Sequence, residues 1–191
     1  MDNRNKLITF LGKNQDRALS LLDMSKATKI PYSSLHRLYN KNKQIFEENK
    51  IGKSVVIKLR KNEAVKNYLI VASYEETQEF LKTNKILNEV SNELPKGSYC
   101  LALFGSYAEG KQTKKSDIDL LIINKNGSKN INFSKYEILF KVEINPIFIS
   151  FKEFRQMLKD KEENVGKQTL HKHIILHNQE LFWNEVFKNG F

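Results

Sequence analysis

Two aspartates two residues apart, Asp117 and Asp119, stand at the entry of an apolar run, Leu120-Leu121-Ile122-Ile123. Side chains alternate along a strand, so both carboxylates face one side while Ile118 faces the other, into a core. Adjacent carboxylates repel, and a cation between them relieves that cost. Mg²⁺ prefers oxygen ligands and often binds through one or two carboxylates together with substrate phosphates. Upstream, a second apolar run ends at Leu103-Phe104 and is followed by Gly105-Ser106. Glycine lets the backbone approach a phosphate closely, and Ser106 adds a hydroxyl and an N–H. A lone Asp-x-Asp is a weak signal, common on solvated strands. The whole arrangement looks like a site for phosphate chemistry on a nucleotide.

Phe104-Gly105-Ser106-Tyr107-Ala108, then Ser116-Asp117-Ile118-Asp119-Leu120, resembles the GS-x10-DxD signature of the nucleotidyltransferase superfamily related to DNA polymerase beta. The match is to its minimal nucleotidyltransferase type. The resemblance implies a two-metal Mg²⁺ site on Asp117 and Asp119, an NTP donor (ATP) and pyrophosphate release. It also implies a third carboxylate on a neighbouring strand, as both metal ligand and catalytic group. Glu143, in Lys141-Val142-Glu143-Ile144-Asn145-Pro146, is the candidate, since a charge flanked by Val142 and Ile144 is costly to bury unless paired or metal-bound. Glu137 is the alternative. Gly105 and Ser106 would cradle the terminal phosphates, with Lys111, Lys114 and Lys115 as nearby cations. Many relatives carry Arg where this chain has Glu109, a charge that would repel triphosphate.

The 191-residue chain has a net charge of +10 and 40% hydrophobic residues. No apolar stretch is long enough to span a membrane, and the start of the chain shows no signal-peptide core. The single cysteine, Cys100, excludes an internal disulfide framework and reads as a core thiol. A cytoplasmic protein without membrane contact is expected. The charge is unevenly placed. Residues 1–73 hold 15 Lys/Arg against 6 Asp/Glu, whereas the rest is nearly balanced. Such asymmetry points to a nucleic-acid-facing module joined to a nearly neutral one.

That basic segment begins with an amphipathic helix over residues 3–12, and Asp16 is expected to cap a second helix. Met24–Lys41 then reads as helix, turn at Ile30-Pro31-Tyr32, and a helix capped by Ser33. This is the layout of a helix-turn-helix, with Ser33, Ser34, His36, Arg37 and Lys41 outward on a recognition helix over residues 33–42. Two short runs around Lys50-Ile51-Gly52-Lys53 resemble a wing, with Lys50 and Lys53 placed to track phosphates. Helices are expected over 63–73 and 75–94, β structure over 138–149 with an edge or bulge at Pro146, and helices over 151–160, 165–177 and 181–187. His171, His173 and His177 do not share a helix face and read as surface histidines. Trp183 reads as core or an oligomer contact.

The expectation is therefore an α+β chain in two domains. A winged helix-turn-helix over 1–73 precedes a nucleotidyltransferase domain over 74–191, the latter with a leading helix 74–94, a catalytic core 95–150 and a helical C-terminus 151–191. The expected function is Mg²⁺-dependent transfer of an NMP to a hydroxyl of a protein, an RNA or a small molecule, coupled to DNA binding. An antitoxin that modifies a partner toxin is one form of this, and a homodimer would suit a winged helix. The alternative is a non-enzymatic DNA-binding regulator with a nucleotide-sensing, degenerate transferase fold.

Overall fold

The computed structural model describes residues 1–52, 54–129 and 131–188. They form two compact units, divided between Glu76 and Thr77. The class is mixed α+β. Among the described residues, no helix is long and apolar enough to cross a membrane.

The first unit contains α1 (Asn3–Lys13), β1 (Leu19–Ser20), α2 (Leu21–Thr28), α3 (Tyr32–Lys41), β2 (Phe46–Ile51), β3 (Ser54–Leu59) and the start of α4 (Glu63–Thr83). Leu7, Ile8 and Leu11 on α1, Met24 on α2, Leu35 on α3 and Val65 and Leu69 on α4 are buried. The strands form an antiparallel sheet in the order β1-β3-β2. The cap of α2 is Ser20 rather than Asp16. Ser20 and Asp23 form a reciprocal capping box, and Leu19 is drawn into the sheet opposite Ile57. Ser33 is likewise not a cap. Extended Pro31 precedes α3, which starts at Tyr32 without a side-chain cap bond. The expected break near Tyr74 is absent, because no glycine or proline interrupts Glu63–Thr83. Asn84 ends α4 instead, its amide donating to Phe80 O at 2.8 Å.

The second unit continues with α5 (Lys85–Asn92), β4 (Cys100–Phe104), α6 (Gly105–Ala108), β5 (Ile118–Asn124), α7 (Ser134–Phe140), β6 (Ile144–Ser150), α8 (Phe151–Lys159), α9 (Val165–His171), β7 (Ile174–His177) and α10 (Gln179–Lys188). Its sheet has the order β6-β5-β4-β7, with β5 and β6 parallel and the other pairs antiparallel. Ile118, Leu120 and Ile122 of β5 pack with Leu87 and Val90 of α5, with Phe133 just before α7 and with Tyr136 of α7. On the opposite face α8, α9 and α10 cover the sheet, burying Phe154, Phe182 and Trp183. Cys100 is fully buried there and its thiol titrates far above the ordinary value because of that burial.

Two segments differ from expectation. Residues 138–140 complete α7 rather than a strand, and Lys141 ends that helix in the left-handed region at φ 53°. Residues 172–177 are not helical. The buried run Ile174-Ile175-Leu176 pairs with β4 as an edge strand, a fit for β-branched residues on a half-buried sheet. The expected wholly helical C-terminus thus contributes a strand to the sheet. Pro146 does lie on an edge strand, β6, where its missing N–H is tolerated.

Candidate active site

Chain direction reverses between β4 and β5, and the reversal builds the site. Phe104, the last residue of β4, lies opposite Asp119. Gly105 therefore meets the Asp119 side chain directly. It adopts φ +68°, and a Cβ placed on it would stand 2.2 Å from Asp119 Oδ2. Glycine is required twice over, for its left-handed backbone and for the space that the carboxylate occupies. Half-buried Ser106 follows in α6, its carbonyl accepting from Lys111 N–H at 2.9 Å.

Asp117 and Asp119 share one face as the alternation requires, with Ile118 buried behind them. Partial burial raises the Asp119 carboxyl above its ordinary value, and the negative charge of Asp117 raises it further. Asn145 works against that shift. It stands in register with Asp119 on β6, and its Nδ2 donates to Asp117 Oδ2 at 3.4 Å. Asn145 thus faces both acids, and sequence reasoning passed over it in favour of Glu143. The structure does not bring Glu143 into the group. Its side chain is exposed one residue before β6, while its carbonyl accepts Ile118 N–H at 2.9 Å. Glu137 is engaged elsewhere, accepting Ile144 N–H at 3.1 Å. Among the described residues, no three His, Cys, Asp or Glu side chains converge as a metal cluster. Two carboxylates and an amide suit a hard cation that completes its shell with phosphate and water.

Glu109 is not a bare negative charge beside the Gly-Ser turn. Lys111 Nζ approaches it at 2.6 Å and Lys172 Nζ at 2.7 Å. These two lysines hold its carboxyl below the usual range. Lys172, 63 residues away in sequence, was invisible to motif reasoning. Lys111 is thereby tied to Glu109, while Lys114 and Lys115 are exposed in the loop before Ser116. Thr113 and Ser116 shape that loop through the Thr113 N–H to Ser116 Oγ bond at 2.9 Å.

The histidines do not gather. His173 is buried, its Nδ1 within 2.9 Å of Thr169 O, and His177 sits on β7, stacked against Tyr99. His171 does end helix α9, half-buried, whereas the expectation of surface histidines on a helix fails for His173 and His177, because the chain leaves the helix there and enters the sheet. Trp183 is buried between Phe182 and His173.

In the first unit, the outward residues of α3 divide between two flanks. Ser34, Arg37 and Lys41 line a cleft of about 270 Å³ with Asn3 and Leu38. His36 lies on the other flank, stacked on Tyr32 and within 3.1 Å of Asn40 Nδ2. Ser33 is exposed in the first turn of α3, and Lys50 is exposed on β2, opposite Val55. Lys53 lies outside the described residues.

A strand, a glycine turn and a paired-aspartate strand are held in register in a small mixed sheet. The family model for the nucleotidyltransferase domain matches residues 83–188, more than half of the chain, and the chain belongs to that family. No curated protein matches, and neither does any solved structure. Membership makes an NTP the implied substrate and transfer of a nucleotidyl group the chemistry of the second unit.

Proposed function

We propose that the chain is a divalent-metal-dependent nucleotidyltransferase that moves an NMP from an NTP, ATP being the expected donor, to a hydroxyl acceptor. The observation that carries this reading is the contact between Gly105 and the Asp119 carboxylate, with Asp117 beside it on the same face. Asp117 and Asp119 would hold the cation. When bound, Mg²⁺ would offset phosphate charge and lower the pKa of the attacking hydroxyl. Gly105 keeps the backbone close enough for terminal phosphates to lie against the turn, and Ser106 offers its hydroxyl and N–H to them. Lys114 and Lys115 supply positive charge nearby. Lys111 and Lys172 neutralise Glu109, which removes the repulsion that its charge would exert on triphosphate.

The test is labelling from α-³²P-NTP with Mg²⁺, in the presence of protein, RNA and small-molecule acceptors. Loss of labelling in Asp117→Ala with Asp119→Ala supports the enzyme. Nucleotide binding without transfer to any acceptor would favour the regulator instead. Labelling of a protein partner would support an antitoxin-like role.

The first unit is read as a DNA-binding winged helix. Its element order and the sheet order β1-β3-β2 support this, as does the excess of Lys and Arg in residues 1–73. The Ser34, Arg37 and Lys41 flank of α3 offers a basic groove for phosphates. Salt-dependent duplex binding by the full chain tests the assignment. Preference for folded RNA would redirect it to gripping an acceptor.

A further inference from the structure

Asn145 is the side chain on β6 that lies in register with Asp119, and its amide reaches Asp117 at 3.4 Å. Its placement is fixed from both sides. Pro146 follows it and confines Asn145 to extended backbone. The preceding residue, Ile144, is held by the bond from its N–H to Glu137, and Glu143 by the bond from Ile118 N–H to its carbonyl. Nothing in folding the sheet demands a polar amide at this point. An apolar residue would serve an edge strand as well, and Ile147 and Ile149 occupy the same face further along.

An amide has one donor end and one acceptor end. Against two bare carboxylates it donates through Nδ2, as here. Turned over about its last torsion, it presents Oδ1, a neutral oxygen of the kind that hard divalent cations accept. The exposed carboxylate of Glu143 is not gathered with the pair.

We propose that Asn145 is the third protein group of the cation site, a neutral oxygen donor standing in place of a third carboxylate. The site then carries two negative charges. It takes its divalent ion together with the phosphates of the nucleotide rather than before them. This rests on the reading of Asp117 and Asp119 as cation ligands.

The test is Mn²⁺ titration of the full chain, followed by electron paramagnetic resonance, with and without the non-hydrolysable donor α,β-methylene-ATP. Wild type should bind Mn²⁺ weakly alone and more tightly with the nucleotide. Asn145→Ala should weaken Mn²⁺ in the nucleotide complex by about tenfold or more, the scale on which metal-site partners act. Asn145→Asp should restore that loss and bind Mn²⁺ without nucleotide about tenfold more tightly than wild type, since affinity follows the ligand charge count. A gain of affinity cannot arise from misfolding. Unchanged Mn²⁺ affinity in both Asn145 variants would overturn the proposal. So would a loss confined to Glu143→Gln, which would return the third place to that carboxylate. If Asp117→Asn and Asp119→Asn leave Mn²⁺ affinity intact, the two-carboxylate reading itself fails, whatever the Asn145 variants do.

Discussion

Replacing Gly105 with alanine should damage the site through two separable effects. The first is backbone. At φ +68°, an alanine sits in the left-handed region at a cost of about 1–2 kcal/mol. For a chain of this size that lowers Tm by about 2–8 °C. The second is steric. The added Cβ would lie 2.2 Å from Asp119 Oδ2 and 3.2 Å from its Cγ. Non-bonded carbon and oxygen settle beyond about 3 Å, so the carboxylate must retreat by about 1 Å. A misplacement of that size costs about 100-fold in rate where geometry governs the reaction. A double-mutant cycle with Asp119→Ala isolates the steric part, because the crowded oxygen and Cγ disappear while the backbone strain stays. Thermal melts of wild type, both single variants and the double variant should show a coupling of about 0.5–3 kcal/mol. Mn²⁺–nucleotide affinity should fall in Gly105→Ala, as it should in Asp119→Ala. Strict additivity in Tm, with Mn²⁺–nucleotide affinity unchanged in Gly105→Ala, would refute the packing of this turn against the carboxylate.

Three further outcomes are expected. Burial and Asp117 raise the Asp119 carboxyl, so folding favours its protonated form. Its stabilising contribution is complete below its ordinary value of 3.8 and is lost as pH rises through the raised folded value. Asp119→Asn should therefore melt higher than wild type at neutral pH without metal, and the advantage should vanish when melts are repeated below that ordinary value. Burial, then the hydrogen bond to Glu48, pushes the Tyr39 phenol up to about 12. Ultraviolet titration should count the same number of tyrosines ionising near 10 in wild type and in Tyr39→Phe, since Tyr39 does not ionise there, and Tyr39→Phe should cost about 0.5–1.5 kcal/mol in denaturant unfolding. In duplex-binding titrations, Arg37→Ala should weaken affinity and reduce the salt slope by about one.

The order of strand, turn and paired aspartates is legible in the residues alone, because it rests on local rules. Alternation on β5 puts Asp117 and Asp119 on one face whatever surrounds them, and the apolar runs that became β4 and β5 are too hydrophobic to be left in solvent. The Gly105 requirement was legible as a type, but its reason was not. Phosphate approach was the sequence argument, and the structure adds the Asp119 carboxylate that fills the space where a Cβ would be. Other features depended on partners far away in the chain. Spacing within β6 cannot say which of its residues stands opposite Asp119. The parallel register with β5 sets Asn145 opposite Asp119, whereas the Glu143 side chain, one residue before β6, is exposed and does not converge with the pair. Lys172 reaches Glu109 only because the chain after α9 passes the turn, so a charge that looked hostile to phosphate is neutralised. The apolar residues of Ile174–His177 fit either the helical or the strand period over so short a run. The open edge of β4 decided between them, since pairing there satisfies the backbone and buries three apolar side chains at once.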